Sequence, residues 1–340
     1  MSQQSQLEQC LRCAGLAAAP SASAPLVALV TDELGGDGSW LLHLLLQRWL
    51  GDAAAPRRAC VLSLEQPYGH WHAVAQRLGC SWAEARRAGK LAFIDGLSAP
   101  VAWGGGAAAE GAGEAEEEAP LPPQSVVAGP AVEDPFAAAA IDTRRFRRYT
   151  PREGALDELR DWVAAWLAED DAPCLVVVDS TTLLLEQASG GAAEGAEFLA
   201  SLRAMSPALL LALGHADCEV QGSGFGGTNG ANTNELAALQ HEADVTLAVR
   251  ALRSGHSALV HGELSVEPAL WAMQMAGGGG GGGASYRGGE EEGGASGARE
   301  ASAAQRSAAG AGGATRRAKF HYRVTETAIK VFIPGSAEAM

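Results

Sequence analysis

The sequence predicts an α/β fold on a mainly parallel sheet with antiparallel strands at one edge. Three observations carry that prediction. Short runs of branched apolar residues alternate with helical patterns, as right-handed strand–helix–strand crossovers require. The first run passes through a glycine-rich turn straight into a helix, in LVALVTDELGGDGSWLL at 26–42. The final segment, KFHYRVTETAIKVFIPG, has the alternation and central turn of a β-hairpin.

Taken in order, residues 1–24 form a flexible leader, in which Cys10 and Cys13 make a C-x-x-C. No second cysteine pair or nearby histidine set completes a zinc site, so no metal is expected there. The first strand leads into residues 39–50, SWLLHLLLQRWL. That helix is too apolar for a surface position and must pack between the sheet and something else. Ser39 is its candidate N-cap. ACVLSLEQ at 59–66 is a second strand, followed by a helix near 70–78, and LAFIDGL at 91–97 is a third.

Leu156, Leu159, Trp162, Val163, Trp166 and Leu167 then recur at helical spacing and form one apolar stripe. CLVVVDS at 174–180 is a fully buried strand ending in Asp179, with a helix near 193–205 after it. ALLLALGH at 208–215 is the next strand, and a polar loop and short helix lead to about 242. DVTLAVRAL and HGELSVE follow as antiparallel strands.

The 340 residues include 43 glycines, and these cluster. The regions at about 101–143 and 276–316 are rich in Ala, Gly, Glu or Ser, and the second holds a run of seven glycines. Neither has enough branched or aromatic residues to offset the entropy of ordering the chain, so both are expected to be disordered insertions. The rest, 25–340, reads as a single domain with one core.

A formal net charge of −15 and a pI near 5.0 argue against a nucleic-acid binder working alone. The N-terminus lacks a basic, long apolar signal, and no run of about twenty apolar residues is present to span a bilayer. A soluble intracellular protein is expected, cytoplasmic with the nucleus as a second compartment.

The turn at 35–40 has the setting of a phosphate-cradling loop. In G-x-x-x-x-G-K-[ST], backbone N–H groups and the helix N-terminus hold phosphates, the lysine neutralises them and the hydroxyl ligates magnesium. With Gly38 as the second glycine, Ser39 stands at the lysine position and Trp40 at the hydroxyl position. No lysine or arginine occurs between Pro25 and Gln47, and Asp32, Glu33 and Asp37 would repel a triphosphate. Gly35, Gly36, Asp37, Gly38, Ser39 and Trp40 therefore make a degenerate loop. No nucleotide cofactor and no catalytic residue are expected.

The order of elements resembles a RecA-like core. TDELGGDGSWLLHLLL, VLSLEQPYGHWHAVAQRLG, AEARRAGKLAFIDGL, LVVVDSTTLLL, LLLALGHAD and FHYRVTETAIKVFIPG together resemble successive blocks of the Elongator complex protein 6 family, in which D-G-S and an aromatic replace the lysine segment. The resemblance implies a noncatalytic subunit of a heterohexameric ring formed with Elongator subunits 4 and 5. It further implies association with the catalytic subcomplex of subunits 1, 2 and 3, tRNA binding by the ring, and support of carbon-5 modification of the wobble uridine, U34. The competing readings are an ATPase with an atypical phosphate loop and a recombinase-like adaptor acting on DNA.

Several residues carry site expectations. Asp179 occupies the Walker B-like position, where a strand-to-helix cap with Ser180 and Thr181 competes with magnesium ordering. Glu65 is a candidate relic of a catalytic base. Gly222, Gly224 and Gly227 match G-x-G-x-x-G but neither leave a strand directly nor open a helix, so a loop is expected. Arg144, Arg145, Arg147, Arg148 and Arg152, with Phe146 and Tyr149 between them, form the densest basic segment. They are candidate tRNA contacts, through phosphates and base stacking, with a basic junction as the plainer reading. His70 and His72 are two apart on a helix and share no face. Trp71 and Trp82 are core or interface anchors, and Arg86, Arg87 and Lys90 lie on a solvated helix face.

Overall fold

Apolar runs bounded by turns become the interior of one ten-stranded sheet in the computed structural model. It describes residues 3–16, 26–51, 56–97, 146–219, 230–255, 257, 259–268, 317–325 and 328–334. The strands are β1 (Leu26–Asp32), β2 (Arg58–Ser63), β3 (Leu91–Asp95), β4 (Phe146–Arg148), β5 (Cys174–Val178), β6 (Leu209–His215), β7 (Val245–Ala251), β8 (Gly262–Pro268), β9 (Ala318–Val324) and β10 (Ile329–Phe332). Their order across the sheet is β10-β9-β8-β7-β1-β6-β5-β2-β3-β4. From β7 to β4 all neighbours are parallel, whereas β7 to β10 run as an antiparallel meander. One strand, β6, separates β1 from the Asp-ending β5. The expected architecture, a mainly parallel sheet with antiparallel edge strands, is the one found.

Parallel strands buried on both faces need apolar side chains at every position. Along β1, Ala28 and Val30 enter one core cluster and Leu29 the other, which is the alternation of a pleated strand. The first layer contains α1 (Gln3–Cys13), α2 (Ser39–Gly51), α3 (Tyr68–Arg77) and α4 (Trp82–Arg87). The second contains α5 (Ala155–Ala168), α6 (Thr181–Gln187), α7 (Ala192–Ala204) and α8 (Gly230–Glu242). The stripe on α5 behaves as its spacing predicts: Leu156, Leu159, Val163 and Trp166 are buried, with Trp162 and Leu167 packed beside them.

The leader is corrected over its described part. Residues 3–13 form α1, in which Cys10 and Leu11 are buried, and Gln6 Oε1 accepts the Ile333 N–H at 2.8 Å beside β10. Arg48 of α2 pairs with Glu8 of α1 at 2.5 Å, and α1 itself packs on β9 and β10, so the two helices lie beside each other in one layer. Burial pushes the Cys10 thiol up to about 12, leaving it a small apolar residue rather than a ligand. Two further elements escape the sequence reading. One is β4, inside the basic segment, and the other is α6, whose seven residues are too few to show a period. The Ala/Gly-rich regions expected as insertions lie outside the described residues.

Trp71 and Trp82 resolve to core rather than interface. They are 0% and 1% exposed and stack with ring centroids 5.7 Å apart, next to Tyr68 and Phe93.

Candidate functional site: the turn after the first strand

The parallel strands end together along one edge of the sheet, and β1, β6, β5 and β2 lie side by side there. Residues at these strand ends or just beyond them, Asp32, Glu65 and His215 among them, line the degenerate loop. The turn is tight because its sequence permits it. Gly35 has φ +87°, a left-handed conformation that favours glycine. At Gly38 a Cβ would stand 2.9 Å from Leu213 Cδ1 and 3.0 Å from Val30 Cγ1, so only glycine lets the start of α2 approach the sheet this closely.

In a phosphate loop the backbone N–H groups at this point await a ligand. Here the chain's own carboxylates take them. Gly38 N–H donates to Asp32 Oδ2 and Ser39 N–H to Asp37 Oδ1, both at 2.8 Å. The capping expected of Ser39 is thus corrected: it opens α2, and aspartates before it receive the first N–H groups. Trp40, at the position of the magnesium-binding hydroxyl, is 5% exposed and packs on Tyr322 of β9 with centroids 4.8 Å apart.

The cation missing from the turn comes from another strand. His215, at the end of β6, donates from Nδ1 to Asp32 Oδ1 at 2.7 Å and from Nε2 to Glu65 Oε2 at 3.1 Å. A ring with a carboxylate oxygen at each nitrogen must carry both protons. These bonds, to Asp32 first and Glu65 second, push the pKa of His215 up to about 10. Its backbone N–H also donates to Thr182 Oγ1 at 3.1 Å.

A cavity of about 500 Å³ opens over the turn, and Asp32, Glu33, Asp37, Glu65, Asp217 and His215 line it with the turn backbone. Arg250 neutralises Glu33 at 2.7 Å. Five carboxylates and one imidazolium invert the electrostatics of a phosphate site, as the acidic composition of the turn predicts.

Asp179 is equally committed. It is 1% exposed and accepts N–H bonds from Leu64 at 2.6 Å, Glu65 at 3.3 Å and Gln66 at 3.2 Å, with the Ser63 hydroxyl as a further donor. Burial nevertheless pushes its pKa up to about 6. Capping of α6 falls to Ser180, whose Oγ accepts the Leu183 N–H at 3.2 Å, so Asp179 braces β2 instead of sharing the cap. Glu65 meets no nucleophile; its side chain serves His215.

The basic segment is divided. Arg144 and Arg145 lie outside the described residues, as do Gly222, Gly224 and Gly227. Arg147 and Arg152 both bind Glu158 of α5, at 3.0 and 2.6 Å, whereas Arg148 is exposed. The Arg152 bond, then its charge and that of Arg147, lower the pKa of Glu158. Phe146 and Tyr149 are 7% and 3% exposed, so the stacking expected of them is lost to the core. Among the described residues no His, Cys, Asp and Glu set has the arrangement of a metal site, and no helix is long and apolar enough to cross a membrane.

The residue that composition and motif reading missed is His215. It is separated from Asp32 by 183 positions and from Glu65 by 150, and only the placement of β6 beside β1 joins them. Its position as the last residue of a buried strand is the signal that was present.

The family model described as Elongation complex protein 6 matches residues 15–106. Elongator complex protein 6 of Xenopus laevis is 27% identical over 232 residues, covering 68% of this chain and 74% of that protein. The Rattus norvegicus protein of the same name is 27% identical over 242 residues, covering 69% and 75%. That of Danio rerio reaches 37% over 82 residues, covering 24% and 30%. Among solved structures, a KaiC-like protein of Pyrococcus horikoshii aligns with TM-score 0.43 and 9% identity over 90% of this chain and 89% of that one. An uncharacterized protein of the same archaeon, in complex with an unknown peptide, gives 0.47 and 11% over 92% and 93%.

Proposed function

From the premise that the chain is a relative of Elongator complex protein 6 over about 70% of its length, we propose that it is a noncatalytic accessory subunit of Elongator. In this reading it forms a heterohexameric ring with Elongator subunits 4 and 5, and the ring joins the catalytic subcomplex of subunits 1, 2 and 3. The assembly binds tRNA and supports carbon-5 modification of the wobble uridine, in the cytoplasm and the nucleus.

One observation carries the noncatalytic part. The Gly38 N–H that would hold a phosphate is bonded to Asp32 at 2.8 Å, and Asp32 is paired in turn with His215. A triphosphate entering here would have to displace a buried carboxylate and face four others. The same feature weighs against an atypical ATPase. A DNA adaptor finds little support in the exposed charge, since Arg147 and Arg152 share a glutamate and the net charge is −15. For tRNA contact, the exposed Arg148 with Arg144 and Arg145 is the candidate group on this chain, without base stacking from Phe146 or Tyr149.

Affinity purification of the tagged full-length chain from its own cells tests the membership. Subunits 4 and 5 should be recovered with it in equal amounts, and purification without them refutes the ring.

A further inference from the structure

Asp32, His215, Thr182, Asp179 and Glu65 form a closed circuit, and the circuit has no counterpart in the duties assigned above. It begins at the start of α2, where Gly38 N–H donates to Asp32 at the end of β1. Asp32 receives His215 at the end of β6, and the His215 backbone N–H reaches Thr182, in the first turn of α6. One residue, the cap Ser180, separates that helix from Asp179, which follows β5 and takes the N–H groups of Leu64, Glu65 and Gln66. The side chain of Glu65 then returns to His215. Four adjacent strand ends are thereby laced together in their spatial order, β1, β6, β5 and β2.

We propose that this circuit is a built-in conformational lock: Asp32 stands as a tethered anion in place of a phosphate, His215 stands as the cation in place of the lysine, and together they hold the strand ends in one arrangement without nucleotide. The inference rests on the noncatalytic reading of the turn, not on membership in Elongator.

The physical basis is that helix N-termini and loop N–H groups are stabilised by an anion, and an intramolecular carboxylate supplies one at high effective concentration. A phosphate bound from solution can dissociate. Here the anion cannot leave. His215 is the hub because both of its ring nitrogens and its backbone N–H are engaged, each toward a different element. The Asp32 carboxylate is likewise split, one oxygen on α2 and the other on His215. Loosening Glu65 must therefore be felt at Gly38, although no bond joins them directly.

Hydrogen exchange on the full-length chain tests this relay. Glu65→Gln should speed amide exchange in the peptide covering residues 36–43 by a few-fold, up to about fivefold, the loss expected for a half-exposed charged bond upstream of it. Asp32→Asn should do so more strongly, and the double variant should fall short of the product of the two effects. Magnesium-ATP should change none of these rates. Exchange altered by Glu65→Gln only around residues 64–67, effects that multiply independently, or re-protection of the turn by magnesium-ATP would each overturn the lock. If Asp32→Asn does not fold, the Glu65→Gln result alone decides, since that side chain is 40% exposed and its replacement leaves no buried charge. Failed recovery of subunits 4 and 5 would leave this outcome untouched.

Discussion

Replacing His215 by glutamine removes the only cation facing Asp32 among the described residues of the cavity wall, and its cost can be worked from the geometry. The bond to Asp32 is 2.7 Å long, and Asp32 is 6% exposed, so it contributes roughly 1.5–3 kcal/mol as a charge-assisted bond to a buried carboxylate. The bond to Glu65 is 3.1 Å and reaches a side chain 40% exposed, which discounts it to about 0–1 kcal/mol. Glutamine retains one donor group and cannot serve both carboxylates with a positive charge. A loss of about 3 kcal/mol follows, or a fall in Tm of about 6–12 °C for a domain of this size. The pH dependence gives a sharper test. The pKa of His215 is raised from 6.5 to about 10 on folding, so its contribution is fully present below 6.5 and is lost as pH rises toward 10. Urea unfolding of the parent and His215→Gln across that window should show a stability gap that is largest at the acid end and closes at the alkaline end. Equal stabilities, or a gap independent of pH, would refute an imidazolium bridging two carboxylates.

Other residues give independent tests. Gly38→Ala places a Cβ 2.9 Å from Leu213 Cδ1 and 3.0 Å from Val30 Cγ1, and should cost about 1–3 kcal/mol in denaturant unfolding. Asp179 has its pKa raised from 3.8 to about 6, so the folded protein holds that proton longer and this group's contribution falls as pH rises from about 4 to 6; Asp179→Asn should flatten that limb of the pH–stability curve. If the proposed ring and its tRNA binding hold, glutamine at Arg144, Arg145, Arg147, Arg148 and Arg152 should weaken that binding and make it less salt-dependent, measured by filter binding at several salt concentrations. Unchanged affinity and slope would remove this segment from the tRNA surface.

How far the sequence reveals the protein depends on whether the relevant forces are local. Strands such as LVVV at 175–178 are legible because burial on both faces demands unbroken apolar runs, and α5 because its stripe repeats over fourteen residues. The lysine-free turn is legible for the same reason, since its glycines and acidic residues are contiguous. Three residues at Phe146–Arg148 are too few to show alternation, and their arginines mask a strand whose partner, β3, is far away in sequence, at Leu91–Asp95. Likewise α1 looks too polar to dock, because Gln6 and Glu8 find partners, Ile333 and Arg48 among them, in distant elements. His215 was invisible as a site residue because a single histidine after an apolar run has no motif; its two carboxylate partners become neighbours only through the strand order.

Titration calorimetry of the full-length protein with magnesium-ATP asks whether the chain's own carboxylates fill its phosphate-loop position. No saturable heat should appear up to nucleotide concentrations on the order of 1 mM. Magnesium-dependent binding with a micromolar Kd would mean that the position is open to phosphate.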